Sequence, residues 1–268
     1  KDLCVIPNLA IHMNREMNKG VEYNPQVDLL PLLADVSFDE YDAHTTYDAQ
    51  TASENAEEQP EAVEKPTLVA LAAETAGVDA ETILGEDLFL YTRQEGKMIG
   101  AKGEFVLSPR LDDLQSAFAL TKAFTESTPA EYINVCAVFD NEEVGSGTRQ
   151  GAASTFLRDT LLRINLGLGR SYEDYLISLA KSFMISADNA HAIHPNYPEK
   201  ADPVNRPHIN AGIAVKYNAN QKYCTDGISA AMFKELCKEA GVSCQVYVNR
   251  SDVAGGSTLG NISNTQVA

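Results

Sequence analysis

After Gly103 the hydrophobic pattern alternates between short extended runs and helical periods, and this alternation constrains the fold more than any other feature of the chain. Residues 104–107 read as a short extended segment. Leu114, Ala117, Phe118 and Phe124 then share one face of a helix starting at Asp112 or Asp113. Residues 132–139 are almost continuously apolar and rich in β-branched side chains, the pattern of a strand buried on both faces. A helix over 172–182 follows, then strands near 183–186 and 212–217. Ile228, Ala231, Met232 and Leu236 mark one further helix, ended by Gly241 before a strand at 244–248. Strand and helix in turn specify an α/β layered domain with a largely parallel sheet, starting near residue 104.

Upstream the pattern is different. Pro66 at a first helical position, the apolar residues 68–73 and a closing Gly77 predict a helix. Residues 87–92 read as a strand. A separate, β-richer domain is therefore expected over residues 1–103. From Asp35 to Glu64 it contains ten acidic residues and no Lys or Arg, and the stretch at about 37–65 reads as a mobile, solvated loop.

Charge and composition exclude several functions. Lys and Arg number 21 against 38 Asp and Glu, a net charge of −17 with no basic patch, which argues against nucleic acid as a partner. No apolar run is long enough to span a bilayer. Five cysteines at irregular spacing form neither a disulfide framework nor a zinc ribbon. They read as small core hydrophobes in a reducing compartment, and a cytoplasmic location is expected. The chain opens at Lys1-Asp2-Leu3-Cys4 without an initiator Met or a signal peptide, as a fragment would.

In α/β sheets ligands bind at the carboxyl ends of strands. Three acidic clusters fall there: Arg110-Leu111-Asp112-Asp113, Asp140-Asn141-Glu142-Glu143, and Ser186-Ala187-Asp188-Asn189 with His191 and His194. Singly, each has a plain explanation, Asp112 as a helix cap and the Glu142-Glu143 pair as a solvated turn. Together at one sheet edge they would repel one another unless a cation lay among them. Carboxylates and histidines without a thiolate pair suit Zn²⁺, Mn²⁺ or Co²⁺. Successive residues in a turn point different ways, so one of Glu142 and Glu143 can ligate while the other acts as a base, as metal-assisted hydrolysis needs. Gly145-Ser146-Gly147 with Gly151 also approximates a dinucleotide fingerprint. The four acidic or amide residues before it would repel a pyrophosphate, and no lysine follows at the phosphate-binding position.

These segments resemble the M18 metallopeptidases, the aspartyl aminopeptidases. The resemblance rests on Arg110-Leu111-Asp112, on Asp140-Asn141-Glu142-Glu143-Val144-Gly145-Ser146, and on the run from Ser186 to Tyr197. It extends through Gly212-Ile213-Ala214-Val215-Lys216-Tyr217 to Tyr223, and back to Pro7-Asn8-Leu9-Ala10-Ile11-His12. It implies a three-layer α/β/α zinc-peptidase domain at 104–268, preceded by a β-rich dimerisation insert at 1–103. It also implies a homo-oligomer built from dimers. Two zinc ions are implied per active site, with Asp112 bridging them, Glu143 on one and Asp188 on the other. Glu142 would be the catalytic base. His191, Lys216 and Tyr223 match substrate-contacting positions, and His12 matches a histidine that reaches a neighbouring subunit's site. The implied activity is removal of N-terminal residues, acidic ones foremost, from peptide substrates.

The family pattern also gives each metal a histidine, one in a His-x-Asp-Ser-Pro-like segment and one in a Met-His-Ser segment. Neither occurs in this sequence, so weak metal binding and little hydrolysis are expected of the chain as it stands. The Asp, Glu-Glu, Asp pattern alone is shared with M42 aminopeptidases, which stay open as an alternative, as does a non-catalytic assembly fragment.

Overall fold

A computed structural model describes residues 3–6, 13, 16, 19–33, 67–128 and 131–253. The chain forms two compact units, Lys1–Gln94 and Glu95–Ala268.

In the first unit Val5 and Leu32 form an antiparallel bridge through backbone bonds of 3.2 and 2.7 Å. A one-turn helix, α1 (Pro25–Asp28), is opened by Asn24, whose side chain accepts from the Gln26 N–H at 2.9 Å. Helix α2 (Leu68–Ala76) begins after Thr67, whose hydroxyl accepts from the Ala70 N–H at 3.1 Å, and ends at Gly77 with φ +70°. The expected stop at Gly77 is found, because a left-handed residue there favours glycine. The start is a threonine cap rather than Pro66 at the first helical position, since the hydroxyl satisfies an otherwise orphaned N–H. The strand expected over 87–92 does not form. Its residues are exposed, Phe89 at 85%, and an apolar run becomes a strand only where a neighbour completes its ladder.

The second unit opens with an antiparallel hairpin of β1 (Lys97–Ile99) and β2 (Phe105–Leu107), pairing Lys97 with Leu107 and Ile99 with Phe105. This hairpin runs across residues 103 and 104, and all of it belongs to the second unit. Helices α3 (Leu111–Glu126), α4 (Phe156–Gly167) and α5 (Tyr172–Ala180) follow. Strand β3 (Ile213–Tyr217), helix α6 (Gly227–Glu239) and strand β4 (Cys244–Val248) make a βαβ unit, with Ile213 opposite Cys244 and Tyr217 opposite Val248 in parallel register. At its entry Gly212 has φ +107°, and a Cβ there would lie 2.1 Å from the Ser243 carbonyl oxygen, so only glycine fits. The Gln245 side chain ties the strands to the preceding loop, accepting from the His208 N–H at 2.8 Å and donating to the His208 carbonyl at 3.1 Å.

Buried Leu157 and Tyr175 belong to α4 and α5, and the corner between these helices is fixed by buried Asn165, whose amide donates to the Ser171 carbonyl at 2.7 Å. Ser171 and Asp174 then cap α5 reciprocally, at 2.8 and 3.1 Å.

Three expectations are corrected here. Residues 132–139 and 183–186 form no ladder among the described residues, and Tyr132 is 73% exposed instead of buried on both faces. Leu114, Phe118 and Phe124 on α3, and Ile228, Met232 and Leu236 on α6, also face outward, while α6 buries Ala230 and Cys237. Periodicity identifies side chains that share a stripe, not what lies against it. Of the cysteines only Cys237 is buried, and Cys4 and Cys224 are exposed.

Candidate metal centre

The first turn of α3 is built to present acids. Arg110 is left-handed (φ +59°), Asp112 and Asp113 are non-helical (φ −85°, ψ 110° and φ −114°, ψ 15°), and the peptide between them is cis. Regular helix starts only at Leu114, whose N–H reaches the Arg110 carbonyl at 3.3 Å. Asp112 and Asp113 thereby each bring a carboxylate oxygen into a group with one from Asp188, all within 4.8 Å of one another. One Asp113 oxygen is buried with no hydrogen-bond partner among the described residues.

A second loop carries the glutamate pair. Asn141 (φ +60°) and Gly145 (φ +93°) bracket a single 3₁₀ turn, Glu142–Val144, and the Ser146 N–H closes it on the Asn141 carbonyl at 2.9 Å. The Asn141 amide donates to the Thr148 hydroxyl at 2.8 Å. Ser146 is buried, and a Cβ on Gly151 would lie 2.2 Å from its carbonyl oxygen. The glycines that suggested a phosphate cradle thus serve this turn: Gly145 adopts a left-handed backbone and Gly151 allows close approach to Ser146.

The acids act on one another. Burial raises the Asp112 carboxyl above its ordinary value, helped by a hydrogen bond with Asp188 and by the charges of Asp188, Glu143 and Asp113. Asp113 is raised by burial and by Asp188, against the opposing pull of Ser116 and Lys216. Burial, then the charges of Glu143, Asp188, Asp112 and Asp113, raise Glu142.

Asp188 is supplied by the segment after α5, held to α3 by the Ser116 hydroxyl and the Asn189 side chain, 3.4 Å apart. From β3, Lys216 places its Nζ 2.8 Å from Asp188 Oδ2 and 2.7 Å from the Asn189 carbonyl. The same Nζ stands 5.7 Å from the centre of the Tyr223 ring. Burial first, then Tyr247 and the Asp188 charge, raise the Tyr223 phenol, which donates to Asn249 Oδ1 at 3.4 Å. Asp112, Glu142, Asp188, His191, Lys216 and Tyr223 line one cleft of about 590 Å³. His194 lies in its wall, accepting at Nδ1 from the Asn196 N–H (3.1 Å) with its ring 5.0 Å from Tyr197.

The structure therefore gathers Asp112, Glu142, Asp188, His191, Lys216 and Tyr223. Glu143 is close enough for its charge to act on Asp112 and Glu142 but is not in the three-carboxylate group. His12 lies outside the described residues. Asp113 stands in the first acidic cluster of the sequence without being singled out as a ligand, and two adjacent acids at a helix start are the signal that points to it. The donor set fits a divalent cation. Clustered carboxylates with raised affinity for protons and a buried, unpartnered oxygen are an excess of negative charge that such an ion relieves.

The M18 peptidase family model, described as aminopeptidase I zinc metalloprotease, matches residues 1–268. The chain belongs to the M18 family. This match decides against the M42 alternative. A probable M18 family aminopeptidase 2 from Clostridium acetobutylicum is 45% identical over 268 residues, 100% of this chain and 57% of that protein. A cryo-EM structure of an Ape4 and Nbr1 complex contains a chain 33% identical with a TM-score of 0.81, covering 99% of this chain and 51% of that one. An S. cerevisiae mApe1 dodecamer, 24% identical, shares the fold with a TM-score of 0.69 over 98% of this chain and 53% of its own. The M18 chain thus spans little more than half the length of the relatives it matches, and that shared fold is the α/β fold of M18 aminopeptidases.

Proposed function

We propose that this M18 chain carries the carboxylate part of a two-metal aminopeptidase centre that removes N-terminal residues, acidic ones foremost, from peptides. The supporting observation is the convergence of Asp112, Asp113 and Asp188, of which Asp112 and Asp188 line a cleft shared with Glu142, Lys216 and Tyr223. Asp112, Glu143 and Asp188 would hold zinc, and manganese or cobalt suit the same donors. Zinc, when bound, polarises the scissile carbonyl and makes a water acidic enough to attack it. Glu142, with its proton affinity raised by burial and acidic neighbours, takes the proton from that water and delivers it to the leaving amine. Tyr223, kept protonated by burial, donates to the developing oxyanion. Lys216 and His191 receive the N-terminal residue, the ammonium favouring an acidic side chain.

The family's two histidine segments do not occur among these 268 residues. The chain alone should therefore bind zinc weakly and hydrolyse slowly. The test is release of N-terminal Asp, Glu and Leu from matched peptides by the purified chain with zinc. Slow release favouring Asp and Glu, abolished by Glu142→Gln while zinc binding persists, is expected. Release unchanged by Glu142→Gln would refute the assignment of the base, and a preference for Leu would refute the acidic specificity.

The same proposal takes the first unit as the dimerisation insert and the second as part of a three-layer α/β/α catalytic domain, in a cytoplasmic homo-oligomer built from dimers. His12 would then serve a neighbouring subunit's site. Light scattering that finds a monomer across the micromolar range would contradict the assembly.

A further inference from the structure

Lys216 occupies an unusual place. A substrate-binding ammonium should face the cleft unpaired, yet its Nζ is bonded to Asp188 Oδ2 at 2.8 Å and to the Asn189 carbonyl at 2.7 Å. Both side chains are largely buried, at 18% and 20% exposure, so solvent screens this pair far less than a surface pair. Acidic groups cluster on its Asp188 side. Asp112 and Asp113 lie within 4.8 Å of an Asp188 oxygen, and the Lys216 charge also acts on Asp113. Lysine suits such a role because its charge is compact and its four-carbon stem is flexible. The Tyr223 ring, centred 5.7 Å from Nζ, offers a second favourable contact on the same side of the cleft.

We propose that Lys216 is a positioning residue as well as a substrate contact: a tethered counter-cation that holds Asp188 in the metal-free chain and competes with the divalent ion for it. This rests on the metal-centre reading above. Its consequence is that the ammonium must leave Asp188 before the lysine can serve an acidic substrate, and Asp188 would then be free to help hold a divalent ion. Removing the charge should therefore strengthen zinc binding while weakening the metal-free fold, a pairing that a purely structural lysine would not produce.

The test is a chelator-competition zinc titration of the wild-type chain, Lys216→Met, Lys216→Arg and Asp188→Asn, with melting curves without and with zinc. Partners of metal ligands commonly change metal affinity by about 10- to 100-fold, so zinc binding about tenfold tighter in Lys216→Met is expected. Lys216→Arg, which keeps the charge, should stay within about threefold of wild type. Without zinc, Lys216→Met should melt below wild type, and zinc should close that gap. If Lys216→Met does not fold without zinc, Lys216→Gln takes its place in the titration. Wild-type binding that is lost in Asp188→Asn but unchanged or weakened in the uncharged Lys216 variants overturns the competition and leaves the metal centre standing. No zinc binding by any of these proteins overturns both.

Discussion

The Ser116 hydroxyl and the Asn189 side chain meet at 3.4 Å, joining the first turns of α3 to the segment that carries Asp188. Ser116 also draws the raised Asp113 carboxyl downward, so one small side chain acts on both acidic segments. Ser116→Ala should leave the fold intact, with a stability change within about 1 kcal/mol, the size of one ordinary hydrogen bond. Zinc affinity should fall by about tenfold, as for other partners that orient metal ligands. Parallel urea unfolding and zinc titration would separate the two effects.

The glutamate turn depends on a close backbone approach at Gly151, where a Cβ would lie 2.2 Å from the Ser146 carbonyl oxygen. Gly151→Ala must displace that backbone, and a loss of about 2 kcal/mol or more in urea unfolding is expected. Gly147→Ala is the control, since a Cβ there meets only the Gly145 carbonyl at 4.0 Å. Equal losses in the two variants would remove the role given to Gly151.

Asp113 has an unpartnered buried oxygen, and burial and the Asp188 charge raise its carboxyl above the ordinary value of 3.8. An acid raised in the folded state binds its proton more tightly there than when unfolded. Its stabilising contribution is full at low pH and is lost as pH rises through the folded value. Asp113→Asn should therefore raise the metal-free melting temperature at neutral pH, with the gain shrinking as pH falls through the carboxylate range. Melting curves from pH 4 to 7 would check this, and a gain that grows toward acid would contradict it.

The helix caps titrate in the opposite sense. Asp226 is held below 3.8 by backbone and side-chain bonds from Ser229 and the Ile228 N–H, and Asp174 by the Ser171 hydroxyl and N–H. Acids lowered on folding stabilise above their ordinary value, and that contribution is lost as pH falls through the folded one. Asp226→Ala and Asp174→Ala should melt below wild type at pH 6, and the difference should narrow below about pH 3 as the wild-type carboxylates protonate.

Some of this was legible in the sequence because the signals were local. Gly77 ended α2 where a left-handed residue was required, and residues 212–248 carried the parallel βαβ unit in their own hydrophobic periods. Asp112 and Asp188 could be found because loops after extended segments present their acids in one place. What failed depended on neighbours. Residues 132–139 had every mark of a buried strand, but a ladder needs a second chain segment, and none pairs with them among the described residues. The outward turn of Leu114 and Phe118 has the same cause. Asp113 escaped because two adjacent acids at a helix start do not tell which of them converges with Asp188. The Lys216–Asp188 bond was hidden by 28 residues of separation in the chain.

The central claim, that Asp112 and Asp188 together hold a divalent ion, is tested most directly by calorimetric zinc titration of the wild-type chain beside Asp112→Asn and Asp188→Asn. The prediction is measurable wild-type binding, weakened by about tenfold or more in each variant. Equal zinc affinity in all three proteins, or none in the wild type, would contradict it.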